Sequence, residues 1–188
     1  MHRYWLAVFA LLLFAAPLAP APAQPASPAV RFNAEPPFRL AVGRIDIVDR
    51  DPAPDARVSL PPARALETWA RDRLVAIGGR DRLVFTIVRA RATDTPLRVE
   101  AGNLSAAETD QLSDRYDMIV AVRLDIVDPS GRAVATAQAN ATRDQTVLES
   151  TLPDQRDGIW SEMTGRLMAQ LAPELNRQIA ANFAAYLR

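Results

Sequence analysis

The chain has 188 residues, no cysteine, and equal numbers of basic and acidic side chains, 22 of each. Loss of Arg3 with an N-terminal signal would leave 21 basic and 22 acidic groups, a net charge of −1, so charge predicts no nucleic acid as a partner. Every Lys/Arg position is arginine, and the only histidine is His2. These absences exclude Ser-His-Asp and Cys-His triads, Schiff-base lysines and His/Cys zinc sites from the mature chain.

The N-terminal residues are typical of a secretory signal. Arg3 precedes an apolar run over residues 6–16, and Ala21-Pro22-Ala23 supplies small residues where signal peptidase cleaves. We predict a signal peptide over residues 1–23, which exports the protein to the periplasm, either free or associated with a membrane complex. The apolar run is shorter than the ~20 residues that a transmembrane helix needs. No transmembrane span is therefore expected after cleavage, and an uncleaved membrane anchor is the alternative.

Residues 24–37 are rich in proline and alanine. Proline disfavours helix and removes backbone donors, so this segment predicts an extended linker. Residues 38–188 are numerous enough for one domain with its own core. A single α/β domain is therefore predicted over 38–188.

The first part of this domain predicts a strand, a helix and a second strand. Apolar residues alternate over residues 38–49 and slip by one place at Gly43, which predicts one strand with a bulge. A helix is expected to begin at Pro61 and to keep apolar residues at helical spacing until the glycine pair 78–79 ends it. Residues 81–92 predict the second strand, parallel to the first because a helix connects the two.

The second part predicts a short helix, a hairpin and a long helix. Ser105 and Glu108 form a capping box for a short helix that ends near Ser113. From Tyr116 apolar residues alternate up to the turn sequence DPSG at residues 128–131, and another strand follows, so an antiparallel hairpin is expected. On that last strand alanines occupy one face and polar residues the other. The alanine face can therefore admit a closely packed helix.

The C-terminus predicts that helix. From Ile159 an apolar residue recurs every four positions, at Met163, Leu167, Leu171, Leu175, Ile179, Phe183 and Leu187. Pro173 lies inside this stripe, so a kink or a break into two helices is expected near Ala172. The stripe predicts a helix that covers the sheet, with a coiled coil or a membrane-surface helix as the alternative.

Together these elements predict a two-layer α/β (α+β) sandwich in the order β-α-β-(short α)-β-β-α. About four strands are expected in a mixed sheet, with the helices on one face. Trp69, Trp160 and Tyr186 lie beside leucines at helical spacing. This position favours packing in the core over a stacking platform for lipid or sugar.

Two similar hexapeptides, RIDIVD at residues 44–49 and RLDIVD at residues 123–128, raise the question of a repeated carboxylate site. The two aspartates of each are three apart, and such residues point to opposite faces of a regular strand, so neither pair can chelate one ion. Each last aspartate instead precedes a turn. We predict two strand ends on a joint polar sheet face, with no catalytic, cofactor-binding or metal site. The candidate binding residues are Arg39, Arg44, Asp46, Arg123, Asp125, Gln138 and Asn140.

The chain resembles an uncharacterised family of small exported proteobacterial proteins. The resemblance rests on the signal, the strand FRLAVGRIDIVD, the helix segment from ETWARDRL through AIGG, the strand DRYDMIVAVRLDI and the amphipathic C-terminus. In outline the chain is also similar to the auxiliary lipoproteins of ABC-type and lipid transport systems of the envelope, which implies an α/β layout. Those lipoproteins have a lipobox cysteine, and this chain has no cysteine.

Two functions remain open. The first is a non-enzymatic periplasmic or envelope protein, an accessory binding component of a transport or envelope-assembly system. It would use its exposed sheet face or a helix edge to bind an envelope protein partner or a lipid-bearing complex. The second is a carboxylate-dependent hydrolase of envelope glycans or esters, which for glycosides needs two carboxyl groups about 5 to 9.5 Å apart in a cleft. No cofactor is predicted, because the chain has no G-x-G-x-x-G, P-loop or EF-hand pattern.

Overall fold

A mixed four-stranded sheet carries two helices on one of its faces. In this computed structural model the described residues are 32, 35–52, 58–97 and 112–188. The strands are β1 (Phe38–Leu40), β2 (Arg44–Asp49), β3 (Leu74–Ala76), β4 (Arg82–Pro96), β5 (Leu112–Val127) and β6 (Ala133–Leu148). The helices are α1 (Pro62–Arg73) and α2 (Pro153–Asn182), and a 3-10 turn over Ala184–Tyr186 follows α2. The predicted fold class is confirmed.

The strands form two sheets. In the larger sheet the order is β2-β4-β5-β6, with β2 and β4 parallel and the other neighbours antiparallel. The first pairing confirms the predicted parallel strands, and the last confirms the predicted hairpin. In the turn between β5 and β6, Gly131 N donates to Asp128 O at 2.9 Å. The smaller sheet is the parallel pair β1 and β3.

The predicted single strand over residues 38–49 is wrong, because the chain changes sheets between β1 and β2. β1 pairs with β3, whereas β2 pairs with β4. At the change, Gly43 N donates to Asp81 O at 2.7 Å. A Cβ on Gly43 would lie 2.7 Å from Gly79 O, closer than real Cβ atoms come to other atoms. Glycine is therefore required at position 43 by a close contact between two segments, and not by a bulge.

Helix α1 ends earlier than predicted. It stops at Arg73, and the next three residues form β3. These residues have helical spacing, but hydrogen bonds to β1 hold them in a strand instead. The same contact continues just beyond β3, where Ile77 N donates to Leu40 O at 2.9 Å. The glycine pair lies in a turn after β3, with φ of 106° at Gly78 and 147° at Gly79. These are angles that glycine adopts without strain.

Three long strands, β4, β5 and β6, make up most of the larger sheet. β4 is longer than the predicted strand over residues 81–92 and ends at Pro96. The predicted short helix that follows, with its capping box at Ser105 and Glu108, lies outside the described residues. Its predicted end near Ser113 is wrong, because β5 already begins at Leu112.

Helix α2 is continuous, so the predicted break near Ala172 is wrong. Pro173 is exposed, and Leu171 and Leu175 on either side of it are fully buried. Packing on both sides therefore holds the helix across the missing backbone N–H. Within the described ranges, no helix combines the length and apolarity of a membrane span.

The core lies between the helices and one face of the larger sheet, called the inner face. Trp69 on α1 is 1% exposed, and its ring centroid lies 6.1 Å from that of Phe85 on β4. Trp160 on α2 stacks on Tyr116 of β5 with the ring centroids 4.0 Å apart. Both tryptophans are thus confirmed as core residues. The predicted alanine face of β6 is also confirmed by its buried members Ala137, Ala139 and Ala141.

Residues just before β1 contact both helices. Arg73 of α1 is buried and donates to Pro36 O at 2.8 Å and to the Glu35 carboxylate at 2.7 Å. Asn176 of α2 donates to the same carboxylate at 2.8 Å. The domain boundary at residue 38 stays a prediction. These contacts tie the end of the predicted linker to the helices.

Arg156, near the start of α2, attaches this helix to the sheet. Its Nη1 donates to Asp114 of β5 at 2.6 Å, and its Nη2 donates to Ser113 Oγ at 3.1 Å. The hydrogen bond from Arg156 lowers the pKa of Asp114 below its usual value, and the bond from Ser113 lowers it further. The ionised carboxylate therefore stabilises the fold more than the protonated acid does.

The substitution Asp114→Asn is expected to make stability less sensitive to acid. A carboxyl whose pKa is lower in the folded state contributes stability above its unfolded pKa, here 3.8, and loses that contribution as pH falls through the folded pKa. The free energy of unfolding, measured by urea titration at pH 7 and at successively lower pH, should fall less in the variant than in the wild type. Asp157→Asn, at an exposed position of α2, is the control. Its free energy of unfolding should fall with pH as steeply as that of the wild type. Equal slopes for Asp114→Asn and the wild type would contradict the role given to this pair.

Candidate functional site

The face of the larger sheet opposite the helices, called the outer face, carries most of the candidate binding residues. Side chains alternate along each strand, so the strand register decides which of them meet. Thr86 of β4 lies opposite Arg123 of β5, which lies opposite Gln138 of β6. Two positions further along β5, Asp125 lies opposite Thr136. These positions alternate with the buried residues of the inner face, so the five side chains share the outer face.

The predicted candidate residues fall into three groups. One group on β5 and β6 consists of Arg123, Asp125, Gln138 and Asn140. Arg44 and Asp46 lie on β2 and are separated from β5 by β4. Asp46 accepts a hydrogen bond from Arg82 at 3.0 Å and lies 3.3 Å from Arg44 Nε. Arg39 is exposed on β1 of the smaller sheet, apart from the other candidates.

A cleft of about 550 Å³ opens on the outer face. All four candidates of the β5-β6 group line it, and so do Arg50, Thr86 and Val88, which the sequence patterns did not indicate as site residues. The register between β4 and β5 shifts at Val88, which marks a β-bulge there. Val88 is 49% exposed. The one available signal was the adjacent apolar pair Ile87-Val88, whose side chains cannot both face the core of a regular strand.

Arg123 and Asp125 form an ion pair along one strand. Arg123 Nε donates to Asp125 Oδ1 at 3.0 Å and to Oδ2 at 2.8 Å, and Thr136 Oγ1 donates to Oδ1 at 2.6 Å. Burial alone would raise the pKa of Asp125, but the hydrogen bonds from Arg123 and Thr136 outweigh burial and lower it. The hydrogen bond with Asp125 raises the pKa of Arg123. Both groups are therefore charged at neutral pH.

The cleft lacks the carboxyl pair that a glycoside hydrolase requires. Asp125 is the one acidic residue among its described lining residues, and its lowered pKa is the reverse of what a general acid needs.

A second cavity of about 360 Å³, at one end of the sheet, is lined by Asp81 and Asp128. Asp81 accepts a hydrogen bond from Tyr186 at 2.9 Å. The pKa of Asp128 is lowered by hydrogen bonds from Ser130 and from the backbone of Arg132.

The last aspartates of the two hexapeptides close turns, as predicted. Asp49 Oδ1 accepts a hydrogen bond from Asp51 N at 2.9 Å. Asp128 Oδ1 accepts one from Ser130 N at 2.9 Å and one from Arg132 N at 3.0 Å. Side chains of this type stabilise turns by bonding to the backbone two residues on. The repeated sequence thus reflects two similar strand ends.

Comparison with known proteins gives likeness at the level of architecture. No family model matches the chain, and no curated protein matches it. Rare lipoprotein B from Shewanella oneidensis aligns with 74% of this chain and 95% of its own at 13% identity, with a TM-score of 0.40. A lipoprotein from Caulobacter crescentus aligns with 67% of this chain and 80% of its own at 11% identity, with a TM-score of 0.35. A minor lipoprotein from Acinetobacter baumannii aligns with 70% of this chain and 96% of its own at 13% identity, with a TM-score of 0.30.

The names of these structures refer to lipoproteins, and this chain contains no cysteine. At TM-scores of 0.40 and below, this likeness gives no information about function.

Proposed function

We propose that the protein is a non-enzymatic, exported component of the cell envelope, accessory to a transport or envelope-assembly system, and that its outer face binds a protein partner. The observation that carries the proposal is the cleft-bearing outer face, which lies opposite the helices and combines charged, amide and apolar side chains. The signal sequence supports the periplasm as the location. The resemblance of the sequence to transport auxiliary proteins supports the accessory role.

The composition of the outer face fits a protein interface. Val88 is 49% exposed, and Val48 on β2 is 37% exposed. Val48 lies opposite Thr86, so it shares the outer face with the cleft. Surfaces that bind other proteins likewise combine apolar and polar side chains. The ion pairs beside them would fix the orientation of the partner.

The proposal is tested by crosslinked capture of a C-terminally tagged protein from its native envelope. Periplasmic and membrane fractions are separated before mass spectrometry. One variant combines Arg44→Ala, Asp46→Ala, Arg123→Ala and Asp125→Ala, which removes two positive and two negative charges from the outer face. The matched control combines Glu162→Ala, Arg166→Ala, Glu174→Ala and Arg177→Ala. These four residues form two exposed ion pairs on α2, and their loss leaves the net charge unchanged as well.

The wild type and the control are expected to capture the same envelope proteins in equal amounts. The outer-face variant is expected to capture them in amounts lower by about tenfold or more, because it lacks the charges that orient the partner. Exposed ion pairs contribute only about 0 to 1 kcal/mol each to stability, so the control should stay folded. The outer-face variant should lose more stability than the control, because the Asp125 side chain is 16% exposed and accepts hydrogen bonds from Arg123 and Thr136. Thermal unfolding checks this. Capture of every partner by the outer-face variant at wild-type levels would refute the proposal.

A further inference from the structure

We infer that the cleft on the outer face binds one carboxylate group attached to an aliphatic body. The inference rests on the proposed function, because it assigns the chemistry of the group that a bound partner or ligand places in the same cleft. The carboxylate could belong to a free aliphatic acid or to the C-terminus of a polypeptide.

Several hydrogen-bond donors that line the cleft make no hydrogen bond to another described residue. Arg123 uses its Nε to bind Asp125, and its two Nη groups have no hydrogen-bond partner among the described residues. The guanidinium of Arg50 likewise makes no hydrogen bond within the described part of the chain. The same holds there for the side-chain amides of Gln138 and Asn140. A guanidinium presents paired N–H donors whose geometry matches the two oxygens of a carboxylate.

The charges of the cleft select a single negative charge. Its charged lining residues are Arg50, Arg123 and Asp125, which sum to one positive charge. A monocarboxylate neutralises this sum. A phosphate monoester carries about 1.5 to 2 negative charges at neutral pH, so it would leave an excess of negative charge beside Asp125.

The wall of the cleft provides an apolar surface for the aliphatic body. Val88 and Ala121 both line the cleft, and Val88 is among the most exposed large apolar residues of the sheet. Covering these side chains removes apolar surface from water, which favours binding. The volume of about 550 Å³ falls in the range of small-ligand sites, roughly 300 to 1,000 Å³. The cleft thus combines donors for an anion with an apolar wall.

The test is a titration of the mature protein with hexanoate, hexanamide and hexyl phosphate, followed by the backbone amide shifts in ¹H–¹⁵N NMR spectra at pH 7. We expect hexanoate to shift the resonances of β4, β5 and β6 around the cleft in a saturable way. Hexanamide and hexyl phosphate should bind at least about tenfold more weakly, a difference of 1.4 kcal/mol.

The source of the carboxylate is tested with an acetylated Ala-Val-Leu peptide, in the free-acid form and in the C-terminal amide form. Tighter binding of the peptide acid than of hexanoate indicates a polypeptide terminus, and the reverse order indicates a free aliphatic acid.

Two substitutions and a matched control locate the site. Arg50→Gln and Arg123→Gln should each weaken hexanoate binding at least about tenfold, whereas Arg166→Gln on α2 should leave it unchanged. Equal affinity for hexanoate and hexanamide would overturn the inference. So would wild-type affinity in the two cleft variants, or the lack of saturable binding by either acid up to about 10 mM.

The two proposals fail in different ways. Loss of partner capture in the outer-face variant, without carboxylate binding to the isolated protein, would refute the carboxylate site and leave the partner-binding face in place. Carboxylate binding that depends on Arg50 and Arg123, with unchanged partner capture, would refute the partner-binding role and leave the ligand site.

Discussion

Replacing Trp69 with alanine is expected to lower the free energy of unfolding by about 3 to 5 kcal/mol. Trp69 is the largest side chain on the buried side of α1, is 1% exposed, and lies against Phe85 of β4. Its removal leaves a cavity between helix and sheet. The fall in the free energy of unfolding is therefore the sum of two terms, the lost burial of apolar surface and the cost of the cavity. α1 connects the two parallel strands β2 and β4, so the cavity lies at the junction on which the β-α-β unit depends.

Urea denaturation of the mature protein, followed by circular dichroism at 25 °C, measures this effect. Trp160 remains as an independent fluorescence probe in the variant. Val75→Ala, at an exposed position of β3, should change the free energy of unfolding by about 0.5 kcal/mol or less. A loss below about 1.5 kcal/mol for Trp69→Ala would show that α1 does not depend on this side chain for its packing.

The part of the fold that was predictable from the sequence is the part fixed by local patterns. The alternating apolar set of β5 runs from Tyr116 to Ile126, and each member of this set is buried in the core. The DPSG turn then fixes the register of β6, because a short turn leaves few ways to pair two adjoining strands. The stripe of α2 predicted its buried face for the same reason, since the 3.6-residue period is a property of one helix.

The parts that were not predictable depend on contacts between distant segments. The residues of β3 continue the helical spacing of α1, but they form a strand because β1 lies beside them to receive their hydrogen bonds. The break between β1 and β2 follows from the approach of Gly43 to Gly79, a contact that no local pattern reveals. At Pro173 the sequence predicted a break that does not occur. Proline breaks most helices locally, but buried residues on either side of Pro173 keep α2 continuous.

The candidate site likewise has one part that the sequence predicts and one part that depends on contacts between distant segments. Arg123 and Asp125 lie two apart on one strand, so their pairing follows from the period of two. The cleft itself could not be predicted, because it requires the register across β4, β5 and β6 and the bulge at Val88. Arg50 lies just after β2, where strand periodicity no longer applies. Its place in the cleft emerges only once β2 and β4 are paired.

Replacing Gly43 with alanine is expected to lower the free energy of unfolding by about 3 kcal/mol. The new Cβ would lie 2.7 Å from Gly79 O and 3.6 Å from Asp81 O. Both neighbours are backbone atoms, so relief requires a shift of the chain rather than a change of rotamer. That shift would stretch the bond from Gly43 N to Asp81 O and separate the small sheet from β2 and β4.

A matched glycine isolates this effect from the intrinsic preference of alanine. Gly165 lies in α2, and a Cβ placed there would meet no heavy atom within 4 Å apart from its chain neighbours and the adjacent backbone of its own helix. Gly165→Ala should therefore raise the free energy of unfolding by about 0.5 to 1 kcal/mol, since alanine favours helix over glycine by that amount. Urea denaturation of the two variants should thus give changes of opposite sign. A Gly43→Ala protein as stable as the wild type would mean that the chain passes between the two sheets without the close contact at Gly79, and the break between β1 and β2 would then need another cause.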